Sequence, residues 1–182
     1  MDLTLKTKSV LETYKPVKTI LITQPSPLQK NPYSEIIEKY GVKIDWREFT
    51  QVEPIDIKEF RRQRIRPDEF GAVIFTSKNS IDHFFRVCEE MRVKMSPETR
   101  YFCITETISN YLQKFIIYRK RKVFTGEKSI ADLKNYLIKF RDTETFLVPT
   151  SNLGARELLN YLDENKIKYQ ESLISNTVSS DL

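Results

Sequence analysis

Apolar and polar positions alternate in blocks along the chain, and the blocks predict strand–helix pairs. Thr19-Ile20-Leu21-Ile22-Thr23 reads as a first strand, ended by Gln24-Pro25. A helix is expected from about Asn31 to Tyr40, with Gly41 suited to the left-handed position after it. From Val42 to Gln51, apolar Val42, Ile44 and Trp46 alternate with Lys43, Asp45 and Arg47, the period of a half-exposed strand or ribbon. Glu53-Pro54 interrupts that run, and a basic helix follows from about Asp56 to Arg64.

Four more pairs follow. The run Ala72–Thr76 is a buried strand, and beyond the polar turn Ser77-Lys78-Asn79 the residues Ile81, Phe84, Phe85, Cys88 and Met91 recur at helical spacing over Ser80–Arg92. Tyr101–Thr105 leads to a helix ending near Phe115, Val123–Thr125 to helix Ser129–Phe140, and Thr145–Val148 to helix Leu153–Asn165. Such alternation argues for an α/β fold, a parallel sheet flanked by helices and joined by right-handed crossovers. An open sheet of this kind binds ligands beyond the carboxyl ends of its strands.

Those ends read Thr76-Ser77-Lys78-Asn79, Thr105-Glu106-Thr107, Thr125-Gly126-Glu127-Lys128-Ser129 and Pro149-Thr150-Ser151-Asn152. Each sets hydroxyls or amides just before a helix, whose first N–H groups attract anions. One such residue is ordinarily a helix cap. Four on the same rim make a surface suited to carboxylates. The candidate binding residues are therefore Thr76, Ser77, Lys78, Asn79, Thr105, Thr107, Lys128, Ser129, Ser151 and Asn152.

Composition removes several alternatives. With only 4 glycines, a Gly-rich phosphate cradle is not available. No apolar run approaches the ~20 residues of a membrane span, and the N-terminus has no apolar core of secretory type, so a cytoplasmic protein is expected. Cys88 and Cys103 lie in apolar runs at a spacing that matches no zinc or redox motif, and they read as core thiols. His83, the one histidine, has no second ligand or base near it in sequence, so it reads as a solvent-facing or capping residue and not a catalytic one. The net charge of +5 is concentrated in Lys58–Arg66 and in residues 107–126. A solvated face or a polyanionic small ligand accounts for both clusters. No aromatic stacking platform accompanies them, so nucleic acid is not expected.

The order ILIT-Q-P, VIFTSKNSI, the ITET strand end, FLVPTSN and the closing ESLISNTVSS resembles uroporphyrinogen-III synthase from about Lys18 onward. The resemblance implies two flavodoxin-like lobes joined by a two-stranded antiparallel ribbon. It also implies a linear substrate, hydroxymethylbilane, closed with inversion of its last ring without metal or cofactor. Its many carboxylates would be held by backbone N–H groups and hydroxyls at strand ends. Carried onto this chain, residues 1–17 are an N-terminal extension and 18–41 the first strand and helix of lobe 1. Residues 42–52 and 169–182 form the ribbon, with Val42–Gln51 paired to Tyr169–Val178, and residues 53–168 form the inserted lobe 2. Lobe 1 is then expected to be incomplete, with self-association through it as one consequence.

Three departures from the family pattern bear on chemistry. Ser175 stands where the closing ribbon usually has a tyrosine proposed to assist loss of the substrate hydroxyl, so no catalytic residue is assigned. Gln24 follows the first strand where many members carry arginine, and Glu106 places an acid at a strand end. Three readings stand beside each other: a synthase weakened or inactivated by truncation, a non-catalytic binding or scaffold module of the same descent, and an unrelated receiver-like domain. The last needs a phosphorylatable Asp at a strand end, where Thr76, Thr105 and Pro149 stand instead.

Overall fold

A computed structural model describes residues 15–180. Most of the N-terminal extension expected over residues 1–17 lies outside that range. One compact unit takes the described residues of Met1–Gln51 and Ser179–Leu182, and the other takes Val52–Val178.

In the first unit β1 (Thr19–Ile22) leads through α1 (Ser34–Tyr40) to β2 (Lys43–Trp46), which returns parallel to β1 with Thr19 opposite Lys43 and Ile22 opposite Trp46. Gly41 ends α1 at φ 62°, and its N–H reaches the Ile37 carbonyl at 2.9 Å. This corrects one expectation: residues 43–46 belong to a βαβ unit and do not pair with the closing strand. Alternation of Val42, Ile44 and Trp46 shows that a strand is half-buried but does not name its partner. The crossover through α1, which returns β2 parallel to β1, supplies that partner here. Val42 is the one buried residue between 15 and 51.

The strand beside β8 (Tyr169–Ser179) is instead β3 (Thr50–Pro54). Ser180 N–H donates to the Phe49 carbonyl at 2.9 Å and Ile55 N–H to the Ile174 carbonyl at 3.1 Å, so the two run antiparallel. Every residue of β3 is exposed and it ends in Pro54, as befits an edge strand.

The second unit is a six-stranded sheet in the order β3-β8-β7-β4-β5-β6, where β4 is Ala72–Phe75, β5 Arg100–Cys103, β6 Val123–Thr125 and β7 Phe146–Ser151. From β8 to β6 neighbouring strands are parallel. Strand β8, expected as ribbon alone, is therefore also the fifth parallel strand, because its partner β7 continues through Ser151. Alternate residues of β4 feed opposite faces. Val73 and Phe75 join Phe60 of α2 (Ile57–Arg62), Ile81 and Phe84 of α3 (Lys78–Met91) and Leu112 of α4 (Glu106–Leu112). Ala72 and Ile74 join Leu137 of α5 (Lys134–Phe140) and Leu158 and Leu162 of α6 (Arg156–Glu164). All four residues of β4 are buried, which explains its unbroken apolar run.

Several helices are shorter than their patterns, and two of them show the cause. The stretch expected as Ser129–Phe140 opens with a 3-10 turn over Ile130–Leu133. The stretch expected from Leu153 begins as helix only at Arg156, because Gly154 at φ 70° folds back with its N–H on the Ser151 carbonyl at 2.7 Å.

Candidate functional site

The order of strands reverses direction between β4 and β7, the place where a doubly wound sheet opens a crevice at its carboxyl end. Here the cause is visible. Pairing of β4 with β7 stops at Val73 opposite Leu147, while β7 continues alongside β8 to Ser151. Pro149 follows two residues on and has no N–H to offer a neighbour. The strands part, and a cavity of about 190 Å3 lies between their ends.

Hydroxyls and amides line it: Thr76, Ser77, Asn79 and Ser80 from the β4–α3 turn, Thr150 and Ser151 from β7, Ser175 and Thr177 from β8. Six of the ten predicted residues border this cavity or a second one of about 370 Å3, and the two share Thr76, Gly154 and Ala155. The second holds Lys128 and Ser129 together with Arg156 and Glu157 from the head of α6. Residue by residue the roles differ from what a list of polar strand ends implies.

Ser77 is a helix cap. Its hydroxyl accepts from Ser80 N–H at 3.0 Å, and Ser77 N–H returns to the Ser80 hydroxyl at 3.2 Å, a reciprocal capping box. That pairing leaves the N–H groups of Lys78 and Asn79 at the head of a 14-residue helix without intrahelical acceptors. Lys78 itself turns aside, its ammonium 5.5 Å from the centre of the Tyr111 ring. The Tyr111 hydroxyl donates to Asp82 at 2.8 Å, and that bond pushes the phenol's pKa up.

At the end of β6 the anion nest is already filled. The Asp132 carboxylate accepts from the backbone N–H groups of Glu127, Lys128 and Ser129 at 3.1, 2.8 and 2.9 Å. Those bonds, with Lys128 foremost, hold the Asp132 carboxyl below the usual carboxylate range. Gly126 makes the tight bend possible, since a Cβ there would stand 2.8 Å from the Ile104 carbonyl and 2.9 Å from that of Ser129. What Lys128 still offers a ligand is its exposed ammonium.

Thr105 caps α4, accepting from Ile108 N–H at 3.4 Å, and Thr107 is exposed on that helix; neither borders the two cavities. Asn152 is spent on the fold. Its side-chain amide donates to the Thr177 carbonyl at 3.1 Å and accepts from Thr177 N–H at 2.7 Å, pinning β8 to the end of β7. Just before that clamp the register shifts, from Thr150 opposite Leu173 to Ser151 opposite Ser175. The bulge lets Ile174 bury in the core while Ser175, itself 4% exposed, lines the crevice.

Ser80, Thr150, Thr177 and Arg156 were not singled out from sequence. Thr150 lies within the strand end Pro149-Thr150-Ser151-Asn152, and its hydroxyl donates to Glu171 at 2.8 Å. Thr177 and Arg156 carry no local signal, since only the bulge and the late start of α6 bring them to the rim. Elsewhere burial pushes both Cys88 and Cys103 up to about 12, so they are packed thiols. His83 is half-buried, and desolvation and Arg86 push its pKa down.

The family model described as uroporphyrinogen-III synthase HemD matches residues 31–179. The chain belongs to the uroporphyrinogen-III synthase family. No curated protein matches it. Among solved structures it is similar to a mutant uroporphyrinogen III synthase from the extremely thermophilic bacterium Thermus thermophilus, at a TM-score of 0.60 and 10% identity over 90% of this chain and 64% of that one. It is also similar to uroporphyrinogen-III synthetase from Helicobacter pylori, at a TM-score of 0.51 and 14% identity over 91% of this chain and 64% of that one. The chain thus spans just under two thirds of the length of the synthases it resembles, and at such identities the likeness speaks for the fold.

Proposed function

We propose that the Val52–Val178 unit binds a polycarboxylate linear tetrapyrrole, hydroxymethylbilane, along its strand-end rim. In this reading it serves the uroporphyrinogen-III synthase reaction of haem biosynthesis, in which the chain closes with ring D inverted. One observation carries the proposal: the crevice at the reversal of strand order is walled by hydroxyls and amides, with the head of α3 at its edge. A cavity of about 190 Å3 suits one carboxylate arm rather than four rings. Lys128 and Arg156 supply cations beside it, so affinity should fall with salt. The reaction needs orientation of a flexible substrate more than a strong acid or base, and the family uses no metal or cofactor. A cytoplasmic setting goes with this reading; among the described residues no helix is long and apolar enough to cross a membrane.

The test is binding of uroporphyrinogen to the 182-residue chain, followed by product analysis with hydroxymethylbilane. Saturable binding that weakens with salt supports the rim; no binding at all overturns it. A second reading, a binding module without turnover, is favoured by Ser175. An aliphatic hydroxyl is far less acidic than the phenol of tyrosine, whose pKa is ~10, and equivalent proton donation is not to be had from it. Binding with formation of the type III isomer no faster than background identifies that second reading.

A further inference from the structure

A further cavity of the Val52–Val178 unit lies at the other end of the sheet. It measures about 590 Å3 and is bordered by Thr99 and Tyr101 at the start of β5 and by Val123 at the start of β6. Since β5 and β6 are parallel, their amino ends are a strand length away from the polar rim, roughly 13 Å for four residues. Its walls are apolar: Phe85 and Cys88 from α3, Val93 and Met95 after it, and Phe115 and Ile116 from the turn after α4. A volume of this order, mostly apolar with a few polar groups, is that of a small-molecule site.

The charges around it say what chemistry it would take. At the mouth stand four cations, Arg92, Lys94, Arg119 and Lys122, with Glu89. Arg119 and Lys122 share the neighbouring Glu98 at 3.3 and 2.6 Å, whereas Arg92 and Lys94 form no ion pair among the described residues. Four positive groups against two carboxylates leave an excess of positive charge over an apolar chamber.

We propose that this cavity is a second ligand site, taking an amphipathic monocarboxylate with its apolar body against Phe85, Met95 and Phe115 and its carboxylate at Arg92 and Lys94. It stands apart from the strand-end rim and does not depend on the reaction proposed above. A tetrapyrrole with many carboxylates is the wrong shape of charge for it, because only the mouth is cationic.

The experiment uses the 182-residue chain and three probes with the same ten-carbon body: decanoate, decanol and decyltrimethylammonium. Calorimetry should give one saturable site for decanoate, weaker binding of decanol and none of the cation. Amide shifts on titration should centre on Val93, Lys94 and Thr99. The double variant Arg92→Asn with Lys94→Gln should weaken decanoate roughly tenfold, two exposed charge contacts, and leave decanol unchanged. Asparagine is chosen because Arg92 has φ 57°, which asparagine tolerates. Ile116→Trp should block decanoate and decanol alike, and its melting curve shows whether the fold survives. Equal binding of the three probes, decanoate affinity untouched in the double variant, or shifts centred on Thr76–Asn79 would each overturn the proposal. So would the absence of saturable decanoate binding to the unaltered chain.

Discussion

Asn152 and Thr177 are joined by two hydrogen bonds, side-chain amide to backbone, at 2.7 and 3.1 Å. The clamp holds β8 against the end of β7 just where the bulge turns Ser175 toward the crevice. Replacing Asn152 by Ala should destabilise the fold by about 1–2 kcal/mol, the net worth of two ordinary hydrogen bonds, read as a lower urea midpoint. Binding of uroporphyrinogen should weaken with it. Weakened binding at unaltered stability would instead make Asn152 a direct ligand of the substrate.

Ser77 and Asn79 adjoin in sequence but should separate by experiment. Ser77→Ala removes the acceptor for Ser80 N–H and should cost about 1 kcal/mol of stability. Asn79, exposed at the head of α3 and lining the crevice, should show little stability change on replacement by Ala and a loss of roughly 1 kcal/mol in ligand binding. Unchanged affinity in the double variant would mark the whole turn as a cap.

Asp132 ties a stability change to acid. Its folded pKa lies below its unfolded value, so its contribution is present above the unfolded pKa of ~3.9 and is lost as pH falls through the depressed folded value. Urea titrations from neutral pH downward should show a smaller acid loss in Asp132→Asn than in the unaltered chain. The variant should start lower at neutral pH, where the carboxylate's three backbone contacts are gone. Parallel acid profiles for the two proteins would refute this.

The 182-residue chain should form the type III isomer from hydroxymethylbilane no faster than the uncatalysed background. Ser175 gives no phenol, and Ser175→Tyr should not restore turnover, because a ring there would occupy the crevice meant for the substrate's carboxylate arm. Type III product well above background from the purified chain is the contrary result.

Limited proteolysis should cut residues 15–51 before 52–178. Between 15 and 51 Val42 alone is buried, while Leu21, Ile36 and Tyr40 are exposed, so little apolar burial opposes local opening. The same exposed side chains give the expectation of self-association its physical basis, to be checked by sedimentation at several concentrations. Equal resistance of the two units would show that something else covers this surface.

The apolar pattern by itself determined strands β4 to β7 of the second unit and the parallel, helix-covered sheet they form. Ala72–Phe75, Tyr101–Cys103 and Phe146–Val148 are continuous apolar runs, and strands covered on both faces have no solvent side to interrupt them. The family, too, was legible, because the Thr-Ser-Lys-Asn turn and the order of the strand ends are local features. Partners and uses were decided by tertiary structure. Lys43–Trp46 pairs with β1 and Thr50–Pro54 with β8, and periodicity along one strand carries no information about the strand beside it. The polar rim divided in the same way. Ser77, Asp132 and Asn152 spend their hydrogen bonds on caps, a nest and a clamp, and which polar group remains for a ligand depends on what folding brings within hydrogen-bond reach of it.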